Sequence, residues 1–280
     1  MSSYFRPATL QQAVQALAEF GGVVLSGGTD FFPVRVDRPM PEAVIDISGV
    51  RELKQITIEP NQILIGGRTT WSEIAASSLP RGFDGLKAAA REIGSVQIQN
   101  FGTVAGNLCN ASPAADGVPP LLTLDAEVTL ESVFGTRTLP LSEFILGNRM
   151  TARRADELMT RIAVPRSFQD AASSFLKLGA RRYLVISIAM VAAALLVDSN
   201  GRVTEARVAV GSCSAQARRL RDLENALVGA MAQPGLGDRA TMEHLDVLSP
   251  IDDIRATADY RRDASLTLVR RGLEACFRAP

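Results

Sequence analysis

Histidine is almost missing from this 280-residue chain: one residue, His244, stands in the stretch MEHLDVLSP. A Ser-His-Asp or Cys-His triad would have to use it, and no nucleophile elbow accompanies it. It reads as an ordinary helix or loop histidine. Cysteine is nearly as scarce. Cys109, Cys213 and Cys276 lie far apart, so they form no C-x-x-C pair, no disulfide framework and no four-thiolate cluster site. A reducing compartment is the plain inference. Only carboxylates then remain as metal ligands, and Asp252-Asp253 reads instead as a helix N-terminus. Lysine occurs only at Lys54, Lys87 and Lys177, and 30 basic residues balance 30 acidic ones, which offers no surface for nucleic acid or another polyanion. The longest apolar run, residues 184–197, is too short for the ~30 Å core of a bilayer. The opening MSSYFRPATL lacks a signal pattern. A soluble, cytoplasmic chain without a transmembrane segment is expected. The P-loop is absent, and no glycine loop spells G-x-G-x-x-G at the start of a helix in a βαβ unit. Acid–base, metal and phosphoryl-transfer enzymes therefore lack their parts, so any chemistry must be carried by a bound cofactor.

What is present begins with a core. Apolar residues make up 46% of the chain, enough for one large domain or two ordinary ones. The stretch from Asn100 to Asp116, NFGTVAGNLCNASPAAD, is rich in small residues that let a backbone approach a ligand and turn its N–H groups toward one point. A diphosphate suits such a nest of donors, although a lone run of this kind is more often a tight loop. The balance shifts because a second loop of the same character, Ser26-Gly27-Gly28-Thr29-Asp30, follows the apolar run Val23-Val24-Leu25. Two such loops can hold one dinucleotide between them.

Read in order, Thr9 and Gln12 form a capping-box pattern, with Leu10, Val14, Leu17 and Ala18 on one helical face. Gly21-Gly22 stops that helix. Residues 23–25 form a buried strand, and Phe31 and Phe32 are expected to plug the core beneath the loop. Residues 43–47 form a second strand, and residues 55–58 and 62–65 a hairpin across Pro60-Asn61. Thr70 and Glu73 cap a short helix, and residues 86–93 make another. Residues 126–130 and 136–139 form a second hairpin, and residues 157–164 a strand stopped by Pro165. Residues 165–170 are the expected boundary. Beyond it, residues 186–196 fit either helix or strand. Asn200-Gly201 signals a hairpin returning through residues 203–210, and residues 215–231 and 254–277 read as helices.

Three polar features have two readings each. Asp116 either accepts hydrogen bonds from cofactor hydroxyls or caps the turn at Gly117. Lys177 is by default a surface lysine. Arg181-Arg182 could meet a phosphate or a partner subunit, with a solvated pair as the plainer account.

SGGTD after a short strand, TVAGNLCNASPAAD, KLGARR and DIRATADYRRD occur in that order. In this the chain resembles, over essentially its whole length, the FAD-binding medium subunit of the molybdenum hydroxylases, the group of xanthine dehydrogenase and carbon monoxide dehydrogenase. The resemblance implies an α+β protein: a vanillyl-alcohol-oxidase-type (PCMH-type) FAD domain of two α/β subdomains, then a smaller α+β domain. The FAD domain falls on residues 1–170, with subdomains at about 1–55 and 56–170, and the C-terminal domain on 171–280.

The family's first diphosphate loop falls on Val24, Leu25, Ser26, Gly27, Gly28, Thr29, Asp30 and Phe31. The second falls on Thr103, Val104, Ala105, Gly106 and Asn107. The family aspartate on the ribityl and flavin side matches Asp116, and the lysine near the flavin matches Lys177. Residues flanking the adenine or flavin rings match Ile93 and Met159. Ala105 replaces the first glycine of the family's GGN, which would strain the backbone only at a positive φ. Tyr183-Leu184-Val185 stand where NAD⁺-using relatives often carry acidic residues. No histidine lies in residues 1–170, so the FAD is expected to be non-covalent.

The resemblance further implies molybdopterin on a large partner and [2Fe-2S] clusters on a small one, assembled as a dimer of heterotrimers. This chain would be the electron-transfer subunit of an oxidoreductase, with no side chain acting as obligate acid or base. Alternatives are a non-catalytic assembly subunit and a stand-alone NAD(P)H-dependent flavin oxidoreductase. As a loop residue, Asp116 changed to Ala is expected to weaken flavin retention and leave the fold intact.

Overall fold

The computed structural model describes residues 3–36 and 39–277. Three strands, β1 (Ser3–Phe5), β2 (Val23–Leu25) and β3 (Ala43–Asp46), form a parallel sheet in the order β1-β3-β2. Parallel neighbours need crossovers, and α1 (Leu10–Phe20) supplies the first. Thr9 caps α1 by accepting from the Gln12 amide, and Gly21, at φ 61°, ends it. Gln12 turns its own side chain to the Ala8 amide, so the box is half made. The buried face of α1 consists of Ala13, Val14 and Leu17, while Ala18 faces solvent. The next crossover, from β2 to β3, starts with the first glycine loop.

The second sheet has the order β4-β5-β10-β6-β7, every neighbouring pair antiparallel. Its strands are β4 (Ile56–Ile58), β5 (Gln62–Gly66), β6 (Glu127–Ser132), β7 (Gly135–Pro140) and β10 (Leu158–Pro165). The ribbon β8 (Ile145–Gly147) and β9 (Met150–Thr151) stands apart. Both expected hairpins and the strand ending at Pro165 are present. Between β5 and β6 run five helices: α2 (Trp71–Ala76), α3 (Asp84–Glu92), α4 (Val96–Phe101), α5 (Val104–Asn110) and α6 (Val118–Thr123), with α7 (Leu141–Phe144) after β7. Thr70 and Glu73 complete their capping box at α2.

The last sheet, β11 (Ala172–Leu178), β12 (Ala189–Val197), β13 (Val203–Gly211) and β14 (Arg218–Arg219), is an antiparallel meander. One face packs on α9 (Ala258–Ala275) and the other on α3 and α6. Coverage on both faces explains why residues 186–196 show no alternation. Ala189, Val191, Ala193 and Leu195 join the cluster under α9, whereas Met190 and Ala192 meet Phe175 and Ala89 on the opposite side. A strand buried on both faces reads as a continuous apolar run.

Two expectations fail here. Residues 215–231 are helical only over α8 (Arg221–Leu227). Arg218 and Arg219 instead pair with the edge of β13, where the Arg219 guanidinium meets Glu224 and Asp125 and donates to the Leu122 carbonyl. Tertiary contacts outweigh the helical propensity of AQARRL. Phe31 plugs the core beside Leu25 and Val44 as expected, but Phe32 is 57% exposed and only edges against it.

Candidate functional site

The two glycine-bearing loops lie against each other. Ser26 Oγ is 3.4 Å from Thr103 Oγ1, and Asn110 Nδ2 donates to Asp30 Oδ2 at 2.7 Å. At Gly27 a Cβ would stand 1.9 Å from the Phe101 carbonyl oxygen, and at Gly102 one would stand 3.5 Å from Thr29 Oγ1. Gly27 is thus glycine because another chain segment occupies the place of a side chain. Gly28 has φ +74°, the left-handed region that glycine enters without strain. The amides of Gly27, Gly28 and Thr29 have no hydrogen-bond partner among the described residues, leaving donors on the rim where the loops meet.

The second loop is less of a loop than its composition predicts. Thr103 is the N-cap of α5, accepting from the Gly106 amide at 3.1 Å, so Val104, Ala105, Gly106 and Asn107 form its first turns. The Thr-x-x-Gly cap lacks the acidic partner that makes a capping box legible. Ala105 is helical and absent from the positive-φ residues, so the exchange of glycine for alanine there carries no strain. Trp71, the lone tryptophan, lies beneath both ends of the stretch. A Cβ at Gly117 would stand 2.3 Å from its Cη2, and one at Gly102 would stand 3.4 Å from its Cδ1. Asn107 Oδ1 and Thr69 Oγ1 are buried without a partner, acceptor atoms of the kind a bound ligand's hydroxyl or N–H satisfies.

Asp116 does not cap Gly117; α6 has no side-chain cap. Its carboxylate accepts from Lys177 Nζ at 2.6 Å through Oδ2, and from Ser187 Oγ at 2.5 Å through Oδ1. Lys177 is no surface lysine either. The side chains of the two residues are 6% and 9% exposed, and Nζ also donates to the Glu92 carbonyl at 3.3 Å, at the C-terminus of α3 where a cation is favoured. Burial pushes the Asp116 carboxyl up, against the pull of the Lys177 ammonium and the Ser187 hydroxyl, with the nearby Glu92 charge adding to the rise. Asp116→Ala would leave that ammonium unpaired in the interior, so an intact fold cannot be expected of it.

Ile93, half-buried, directly follows Glu92 in the chain and packs against the core that holds α3 and α5. Met159 is 3% exposed and packs in the core with Val104, Ala105 and Leu108, behind α5. Val24 and Leu25 support the first loop from β2. A cavity of about 370 Å³ opens next to Lys177, lined also by Glu92, Phe175, Gly179, Arg181 and Val185. Arg181 spends its guanidinium on the Leu184 carbonyl, and Arg182 stacks over the exposed Tyr183 ring. His244 bonds Thr241 in a short 3₁₀ turn away from these residues. Among the described residues no group of His, Cys, Asp and Glu could hold a metal ion, and no helix is long and apolar enough to cross a membrane.

Sequence reasoning missed Ser187. Its signal was available: it is the one polar residue in the apolar run of residues 184–197, and a hydroxyl buried in such a run needs a partner. Asn110, the tie to Asp30, carried no comparable signal.

Residues 1–167 match the FAD binding domain in molybdopterin dehydrogenase, and residues 174–276 the CO dehydrogenase flavoprotein C-terminal domain. The chain is 38% identical to the nicotinate dehydrogenase FAD-subunit of Eubacterium barkeri, over 89% of this chain and 84% of that one. It is 28% identical to the carbon monoxide dehydrogenase medium chain of Hydrogenophaga pseudoflava, over 98% and 96%. Among solved structures it resembles the carbon monoxide dehydrogenase of Hydrogenophaga pseudoflava lacking the Mo-pyranopterin moiety, with a TM-score of 0.91 at 27% identity over 99% and 97% of the chains. The reconstituted CO dehydrogenase from Oligotropha carboxidovorans gives 0.91 at 25% identity over 100% and 99%. With both of its domains matched, the chain belongs to the FAD-binding medium subunits of the molybdenum hydroxylases, as the flavoprotein component of an oxidoreductase.

Proposed function

We propose that this chain holds one non-covalent FAD and serves as the electron-transfer subunit of a molybdenum hydroxylase. The observation that carries this reading is the contact between the two loops, which concentrates the unpaired amides of Gly27, Gly28 and Thr29 beside the start of α5. The residues present fit the group. Amide donors suit a diphosphate, and the orphaned Asn107 Oδ1 suits a hydroxyl or ring N–H. Val24 to Phe31 and Thr103 to Asn107 would bind the diphosphate. Asp116 and Lys177 would meet the ribityl and flavin end, Ile93 would flank a ring, and Met159 would back the site from the core. Bound there, FAD would supply two-electron storage between one-electron iron–sulfur donors and an external acceptor. The chain's own part is to bind, to orient and to exclude water; no side chain need act as an obligate acid or base.

The same reading extends to organisation. The FAD domain, of the PCMH type, would span residues 1–170 with subdomains at about 1–55 and 56–170, and the C-terminal domain residues 171–280. Names such as FAD-subunit and medium chain among the relatives support a larger assembly. We assign a molybdopterin-bearing large partner and a small partner with [2Fe-2S] clusters, paired as a dimer of heterotrimers in the cytoplasm. Purification of the full chain tests the cofactor directly. A yellow protein, or an apoprotein that turns yellow and retains FAD through gel filtration, is expected. A colourless chain that stays so after incubation with FAD favours the assembly-subunit alternative and ends this reading.

A further inference from the structure

The DIRATADYRRD segment, residues 253–263, carries three aspartates and three arginines in close succession and has no part in the site described so far. Arg261 nonetheless lies behind it. Placed in the first turn of α9 after the Thr257 cap, Arg261 is 3% exposed. Nη1 donates to the carbonyls of Ile188 at 2.6 Å and Ser212 at 3.1 Å, and Nη2 donates to Asp253 Oδ1 at 2.7 Å. Both carbonyls belong to segments that converge on Asp116. Ile188 follows Ser187, the donor to Asp116 Oδ1, and its own amide donates to Leu178, next to Lys177, at 2.8 Å. Ser212, at φ +63°, donates its amide to the Pro113 carbonyl at 3.0 Å, three residues before Asp116.

Asp253 fixes the arginine in turn. Its carboxylate accepts from the Arg255 and Ala256 amides at 2.8 and 3.2 Å, which ties it to a tight turn before α9. A planar guanidinium can serve two carbonyls and a carboxylate at once in a fixed fork; an ammonium cannot hold that geometry.

We propose that Arg261, locked by Asp253, is a positioning residue: it sets the Ser187 and Pro113 segments and thereby the Asp116–Lys177 pair at the cofactor site. The proposal rests on the flavin reading above. It is tested by titrating FAD into the full chain and its Arg261→Met, Arg261→Lys, Asp253→Asn and Ser187→Ala variants, with the two-electron flavin potential and the melting of the apoprotein measured alongside. Arg261→Met is expected to raise the FAD dissociation constant about tenfold, and Asp253→Asn about threefold, because contacting residues couple. Arg261→Lys should recover little of the loss. In a Ser187→Ala background the Arg261→Met effect should largely vanish, and both variants should move the potential in one direction.

If Arg261→Met does not fold, Asp253→Asn and Arg261→Lys carry the same comparison. The inference is overturned if the wild-type chain binds FAD while the variants only melt earlier, with FAD affinity and potential unchanged, or if the two effects simply multiply. A wild-type chain that binds no FAD removes the flavin reading first, and this inference with it.

Discussion

Lys177 reaches across from the last sheet to place its ammonium 2.6 Å from the Asp116 carboxylate, with both side chains below a tenth exposed. Removing one partner of such a pair leaves an uncompensated buried charge and costs about 3–5 kcal/mol. Lys177→Met should therefore shift the urea midpoint down sharply and lower the bound flavin absorbance per mole of protein. The double variant Lys177→Met, Asp116→Asn should regain much of the stability but none of the flavin. A single variant as stable as the wild type would show that the ion pair is not closed in solution.

Gly27 is the point of closest approach between the loops. The carbonyl of Phe101 stands where a Cβ would be, 1.9 Å away, and the obstacle is backbone, which cannot rotate aside. Gly27→Ala should force the loops apart at a cost of about 1–3 kcal/mol. Flavin content should fall well before secondary structure, read by circular dichroism, changes. Gly147→Ala is the control, since nothing lies within 4 Å of a Cβ there and its φ lies outside the left-handed region.

Asp253 should leave a signature in acid. Burial pushes its carboxyl up, but the Arg255 amide, the Arg261 guanidinium and the Ala256 amide outweigh that and hold it at about 2, below the ordinary 3.8. A depressed folded-state value means stability that is present above the ordinary value and lost as pH falls toward the folded one. The stability difference between wild type and Asp253→Asn, taken from urea unfolding, should thus be constant above pH about 5 and shrink between about 4 and 2. A difference that stays level through that window would remove the ion pair from the account.

The cysteines should be poor nucleophiles in the folded chain. Burial pushes the Cys109 and Cys276 thiols up to about 11, and raises Cys213 as well. Only the thiolate reacts, so iodoacetamide at pH 8 should label the native protein slowly and the urea-unfolded protein fully, as counted by mass spectrometry. Prompt labelling of Cys276 in native protein would show that the C-terminal end of α9 opens.

Much of the fold was legible because its signals are local. The Thr9 cap, the Thr70–Glu73 box, the Asn200-Gly201 turn and the Pro165 stop each act within a few residues, and the structure keeps all four elements. Where long-range packing decides, sequence reading went astray. Residues 215–220 have helical composition, yet Arg219 is drawn into strand pairing by Glu224 and Asp125. Phe32 is as apolar as Phe31, and only the shape of the loop turns one inward and the other out.

The site divides in the same way. Small residues, a φ-permissive Gly28 and two similar stretches are properties of composition and order, so the chain by itself determined that one glycine turn and one small-residue segment lie open to a ligand; that the second opens helix α5 was left to the fold. Whether those turns touch, and whether Lys177 is a surface cation or the buried partner of Asp116, depends on segments 77 and 61 residues apart meeting in space. A charge carries no mark in the sequence of the partner it will find. Only the fold, which brings Lys177 of β11 against the segment before α6, supplies that partner, along with the low-dielectric surroundings that make the pairing matter.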